Sequence, residues 1–191
     1  MSRSYRTRPK DIIARERMPR DNHGRFIFPR IIIRKPERGD IHPLNRKMIA
    51  RAYDKLPLEY FYGLKEIELR ARSSDIGKPF GKYSPYAKKI ILYSVPENQW
   101  NISNPSEGLI SALRRYHANI SNMEDGIIVE WEADFLMSMF YLSIFFHELG
   151  HHYVNQYKCK QKPPIDDHLN EWYADMQVIK LQKHAFRRRI D

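Results

Sequence analysis

His147-Glu148-Leu149-Gly150-His151 closes an apolar block that runs from Phe135 to Phe146. On a helix, positions i and i+4 stand one turn apart on the same face, so both imidazoles can reach one ion. Glu148 projects at the neighbouring angle, where its carboxylate can hold and deprotonate a water activated by that ion. The pattern predicts a helix from about Ala133 to Tyr157, with its histidines where a core meets a cleft. The apolar block is twelve residues long and interrupted by Ser138 and Ser143. A bilayer span needs roughly 18–20 residues, so a buried core helix is expected and no membrane span.

A catalytic zinc takes three protein ligands and keeps one position open. Downstream of the two histidines the candidates for the third are Cys159, Asp166, Asp167, His168, Glu171 and Asp175. Pro163 and Pro164 break the first helix, and Asp166 or Asp167 can cap a final one reaching about Ala185. Glu171 lies twenty residues past His151 on that final helix, with Asp175 one turn further on. Glu171 can then face the metal while Asp175 accepts a hydrogen bond from a ligating histidine, which fixes the tautomer and raises ligand basicity. Cys159 reads more simply as a lone, partly buried thiol.

His147-Glu148-Leu149-Gly150-His151 followed by Glu171-Trp172-Tyr173-Ala174-Asp175 resembles the gluzincin metallopeptidases. The compact design is similar to the minigluzincins and to the small repressor-cleaving metallopeptidases of mobile elements. Residues 133–186 carry the resemblance. It implies a zincin-like α+β fold, with a small twisted sheet packed on an active-site helix that is followed by a glutamate-bearing helix. It implies Zn2+ held by His147, His151 and Glu171, with Asp175 bonded to His147. By the same resemblance Glu148 is general base and then proton donor in the hydrolysis of a peptide or protein substrate. Larger gluzincins add a His or Tyr that stabilises the tetrahedral intermediate; His152, Tyr153, Tyr157, His168 and Tyr173 are all near in sequence. The metzincin pattern fails, because position 157 is Tyr and position 154 is Val. His168 ranks below Glu171, since its surroundings do not match families that use a third histidine.

Upstream, Met48, Ile49, Ala52, Tyr53 and Leu56 recur at helical spacing until Pro57. Leu64 to Arg72 alternates and predicts a strand, and Lys89 to Val95 a second, more buried one. Ser73 to Ala87 is expected to be a connection. Asn104-Pro105 opens a predicted helix through Leu109, Ile110, Leu113, Tyr116 and Ile120. Asp125-Gly126 turns into a third strand at Ile127 to Trp131.

The net charge of +10 is unevenly placed: residues 1–47 hold fourteen Lys and Arg against five Asp and Glu, a balance of +9. The expected organisation is a basic, Arg- and Pro-rich extension over 1–45 and a metallopeptidase domain over 46–191. The extension, with Phe26, Phe28 and Ile31 to Ile33 interleaved, can pack on the body, cover the cleft as a latency segment, or bind nucleic acid or another acidic partner. The runner-up function is therefore a nucleic-acid- or protein-binding module on a zincin-like body with little turnover. One cysteine excludes an intramolecular disulfide and a Cys-rich zinc finger. With no secretory signal visible, a cytoplasmic, intracellular location is expected.

Overall fold

A computed structural model of the chain describes residues 22, 27–72, 80–157 and 166–187. The expectations placed on residues 1–21, Phe26, Cys159, Pro163 and Pro164 lie outside the described residues. The architecture is α+β. A four-stranded sheet takes the order β1-β3-β5-β4, from β1 (Arg30–Ile33), β3 (Glu66–Arg70), β5 (Lys89–Tyr93) and β4 (Gly81–Ser84). β1, β3 and β5 are parallel, and β4 joins antiparallel at the edge. Alternation along the strands sends Ile31, Ile67, Leu69, Ile90 and Leu92 into the core, as a half-buried sheet requires. β2 (Asp40–Ile41) and β6 (Val95–Pro96) form a short ladder. β7 (Gln99–Ser103), β9 (Gly126–Glu130) and β8 (Asn119–Met123) form a separate antiparallel sheet in that order.

The first helix, α1 (Arg46–Lys55), starts where Asn45 accepts a hydrogen bond from the Met48 amide at 3.0 Å. α2 (Glu107–Arg115) is shorter than predicted at both ends. Ser106, not Asn104, caps its start, with its Oγ accepting from Leu109 at 3.2 Å. Its end is a left-handed turn: His117 has φ +58, its amide bonds Arg114 O, and Ala118 bonds back to Leu113 O. That closure releases Ile120, expected on the helix, into β8.

Two further corrections concern strands. The expected connection Ser73–Ala87 contains β4, and β7 and β8 were not foreseen. The described part of the basic extension packs on the body, one of the expectations for it: β1 pairs with β3, Phe28 stacks on Tyr53 at 4.7 Å, and Leu44 is buried.

The predicted long helix is present in three consecutive pieces. α3 (Ala133–Met139) passes through a wider π-helical segment, Phe140–Phe145, into α4 (Phe146–Tyr157). The wider turn changes which side chains face inward, so that the sequence neighbours Phe145 and Phe146 are both buried. α5 (Asp167–Arg187) is capped by Asp166, whose Oδ1 accepts from Leu169 at 2.7 Å. Among the described residues no helix is long and apolar enough to cross a membrane.

Candidate metal centre

α4 and α5 pack closely because small residues meet at their crossing. A Cβ built on Gly150 would lie 2.7 Å from Ala174 O and 3.0 Å from its Cα. Only glycine permits that approach of the two backbones. Gly150 lies inside the His147–His151 motif and Ala174 inside Glu171–Asp175, so the contact brings the two halves of the candidate site together.

His147 Nε2 and His151 Nε2 are 2.9 Å apart. Glu171 Oε2 lies 3.1 Å from His147 Nε2, and Glu171 Oε1 lies 3.3 Å from His151 Nε2. Zinc bonds of 2.0–2.1 Å in tetrahedral geometry separate neighbouring ligand atoms by about 3.3 Å. The three donors thus converge at the spacing one small ion demands, and two imidazoles with one carboxylate are a donor set suited to zinc. His147 Nδ1–H donates to Asp175 Oδ1 at 2.9 Å, which leaves Nε2 as a free lone pair directed at the same point. His151 is more enclosed; burial, then the neighbouring His147, hold its pKa below the usual histidine value. Asn170 Oδ1 is buried without a donor at full hydrogen-bond geometry. As an acceptor beside the His151 ring it favours the protonated imidazole, against that lowering.

Glu148 is buried, at 7% exposure, and meets the inner wall of the same cleft. Burial pushes its carboxyl up to about 7, against the opposing influence of His147 and of the Tyr83 backbone N–H that donates to it. β4 forms the opposite wall. Tyr93 N–H bonds Phe80 O, so in the antiparallel alternation the amides of Gly81 and Tyr83 turn away from β5. One of them reaches Glu148. Two hollows open on either side of this point. The first, of about 500 Å³, is walled by Phe80, Arg115, Tyr116, Ile144 and Val178. The second, of about 360 Å³, is walled by Lys82, Tyr83, Pro85, Asn155 and Asn170. Gly81, His147 and Glu148 border both.

His147, Glu148, His151, Glu171 and Asp175 are thus gathered at one place, and His168, exposed on the first turn of α5, is not among the convergent donors. Three aromatic candidates for stabilising a reacting group point elsewhere. His152 is fully buried and bonded to Tyr62 O, Tyr153 stacks on Tyr60, and Tyr157 donates to Glu59 O. Arg115 and Tyr116 line the cleft instead, brought there by the α2 closing turn, which no spacing in the sequence announces. No protein-family model, curated protein or solved structure matches this chain.

Proposed function

We propose that the protein is a zinc-dependent metallopeptidase of gluzincin type, with a zincin-like arrangement of β4, α4 and α5. The observation that carries this reading is the convergence of His147, His151 and Glu171 within 2.9–3.3 Å of one another, with Glu148 bordering the same cleft. Zinc bound there supplies Lewis acidity and lowers the pKa of water toward about 7.

The chain's own groups supply the remainder. Asp175 holds His147 in the tautomer whose Nε2 is free to ligate. Glu148, poised near 7 by burial, can accept a proton from water and return it to a leaving amine, the two transfers that amide hydrolysis needs near neutral pH. The outward-turned edge of β4 at Gly81 offers backbone groups to an extended chain, and hollows on both sides leave room for residues flanking the cleaved bond. Arg115 and Tyr116 stand in the larger hollow, where a donor can meet negative charge developing on the attacked carbonyl.

The test is metal content of the purified chain, wild type beside Glu171→Ala and His168→Ala, followed by chelator-sensitive hydrolysis of a quenched-fluorescence peptide library. The expected result is about one zinc per wild-type chain. Glu171→Ala should lose it by more than the roughly 10–100-fold typical of an outer partner, and His168→Ala should keep it. A wild type that stays empty after zinc is supplied would sink the reading.

A further inference from the structure

β4 is tied to α4 through a buried side chain that the metal centre does not use. His152 follows His151 in sequence but has no exposed surface. Its Nε2–H donates to Tyr62 O at 3.1 Å, so its Nδ1 carries a lone pair and accepts from Tyr83 OH at 3.2 Å. The same hydroxyl lies 3.4 Å from Asn155 Oδ1, the longer of its two contacts with an acceptor on α4, and the Tyr83 and His152 rings meet edge-on at 5.4 Å. Tyr83 is therefore held at both ends. Its hydroxyl is anchored on α4 at His152, next to the candidate ligand His151, and near Asn155 one turn further on, and its backbone N–H donates to Glu148. The opposite wall at Gly81 leaves no slack, because a Cβ there would already sit 3.0 Å from Glu148 Oε1.

We propose that His152 and Tyr83 are positioning residues: a clasp that sets the height of β4 above α4, so that the Tyr83 amide holds the Glu148 carboxyl in its place beside the three donors. A residue needed only to fill space would be an aliphatic side chain at position 152. An imidazole with both nitrogens engaged fixes direction as well as distance, and a buried ring left half-satisfied is penalised. The kinetic consequence rests on the peptidase reading above; the structural one does not.

The experiment compares Tyr83→Phe, His152→Asn, His152→Gln and Glu148→Ala with the wild type, all as full-length zinc-supplied protein. Amide hydrogen exchange is read residue by residue, beside zinc stoichiometry. Tyr83→Phe and Glu148→Ala should each speed exchange at the Tyr83 amide by at least about tenfold while α4 and α5 keep their protection. Zinc stoichiometry should be unchanged in Tyr83→Phe and His152→Asn. Asn at 152 retains an acceptor where Nδ1 stood, so it should preserve protection of the Tyr83 amide better than Gln does. On the peptide library, Tyr83→Phe should lower kcat by about 10- to 100-fold with KM within about twofold, the mark of a misplaced catalytic group. An unchanged Tyr83 amide, or protection lost evenly across α4 and α5, would overturn the clasp. So would equal effects of Asn and Gln at 152, which also decide the matter if Tyr83→Phe does not fold. A wild type that cleaves nothing counts against the peptidase reading, and the amide exchange still decides the clasp.

Discussion

Among the described residues two glutamates are buried, Glu68 on β3 at 2% exposure and Glu148 on α4 at 7%, and their surroundings are opposite. Glu68 is surrounded by cations: Arg70 bonds it through Nη2 at 2.9 Å and Nε at 3.2 Å, Arg34 Nε lies at 3.3 Å, and Lys89 pairs with it directly. Burial pushes its carboxyl up, but the hydrogen bonds and charges of Arg70 and Lys89 outweigh burial and hold it at about 2. Glu148 has one backbone amide and a neighbouring imidazole, and burial prevails, leaving it at about 7. Both side chains are closed to solvent, but Glu68 lies at a shallower depth among cations and Glu148 deeper among few partners, so low exposure alone does not make equal carboxyls. A carboxylate saturated with cations is a structural fixture, whereas one left short of partners can exchange a proton near neutral pH.

The largest effect expected from that difference is on turnover. Glu148→Gln keeps the shape and the three metal donors but removes the proton acceptor. It should retain zinc and lower kcat by about 10²–10⁴-fold. Steady-state hydrolysis of the peptide library beside metal analysis checks this. Full activity in a zinc-loaded Glu148→Gln would make the two glutamates equivalent after all.

Stability should respond at the other carboxyl. Glu68→Gln removes the charge that its cations are arranged around, and should destabilise the fold by about 2–3 kcal/mol at pH 7, somewhat below the loss from breaking a fully buried pair. The pH dependence has a definite sign. A carboxyl whose folded pKa is depressed from 4.5 to about 2 contributes stability that is complete above the unfolded value and is lost as pH falls through that window. The gap between wild type and Glu68→Gln in urea unfolding should therefore narrow between pH 4.5 and 2. A gap that is constant over this range would mean that packing, not charge, is what Glu68 supplies.

The sharpest form of the comparison sets the two variants side by side without metal. Glu148 has a folded pKa above its unfolded one, so its ionisation opposes folding: the penalty is absent below pH 4.5, grows up to about 7 and is complete above it. Glu148→Gln should then stabilise the chelator-treated protein at pH 8 by about 1–3 kcal/mol. Glu68→Gln destabilises under the same conditions. Denaturant midpoints of the same sign for both would break the distinction.

How much of this was legible in the sequence follows from where each constraint acts. The i, i+4 spacing of His147 and His151 is local, so it places the motif on a helix, and the Asp166 cap, one of the two expected there, is equally local. The position of Glu171 and Asp175 beside the histidines depends on the long-range packing of α4 on α5, at whose crossing Gly150 meets Ala174, and those two are visible in the sequence only as small residues inside the motifs. β4 was not legible at all. Gly81 to Ser84 is a short edge strand with little apolar alternation, and it exists because Ile90 and Leu92 of β5 need a neighbour. Glu66 and Glu68 sit in a strand that reads as alternating, yet nothing local says that Arg34, Arg70 and Lys89 converge on one of them.

The smallest predicted effect tests whether β4 limits Glu148 by contact alone. Gly81 has an ordinary backbone conformation, so only space restricts substitution there. A Cβ would lie 2.9 Å from Ile144 Cγ2 and 3.0 Å from both Cγ and Oε1 of Glu148. Gly81→Ala should therefore cost about 1 kcal/mol of stability, at the low end for overpacking, and lower kcat by about tenfold without altering zinc content. Ile144→Ala in the same chain separates the two consequences. It removes the hydrocarbon clash on the π-helical segment and leaves the contact with the carboxyl. The double variant should recover the part of the stability loss that belongs to Ile144 while kcat stays low. Recovery of both together would mean that Gly81 acts on packing in general; recovery of stability alone would show that the wall of β4 sets where the Glu148 carboxyl stands.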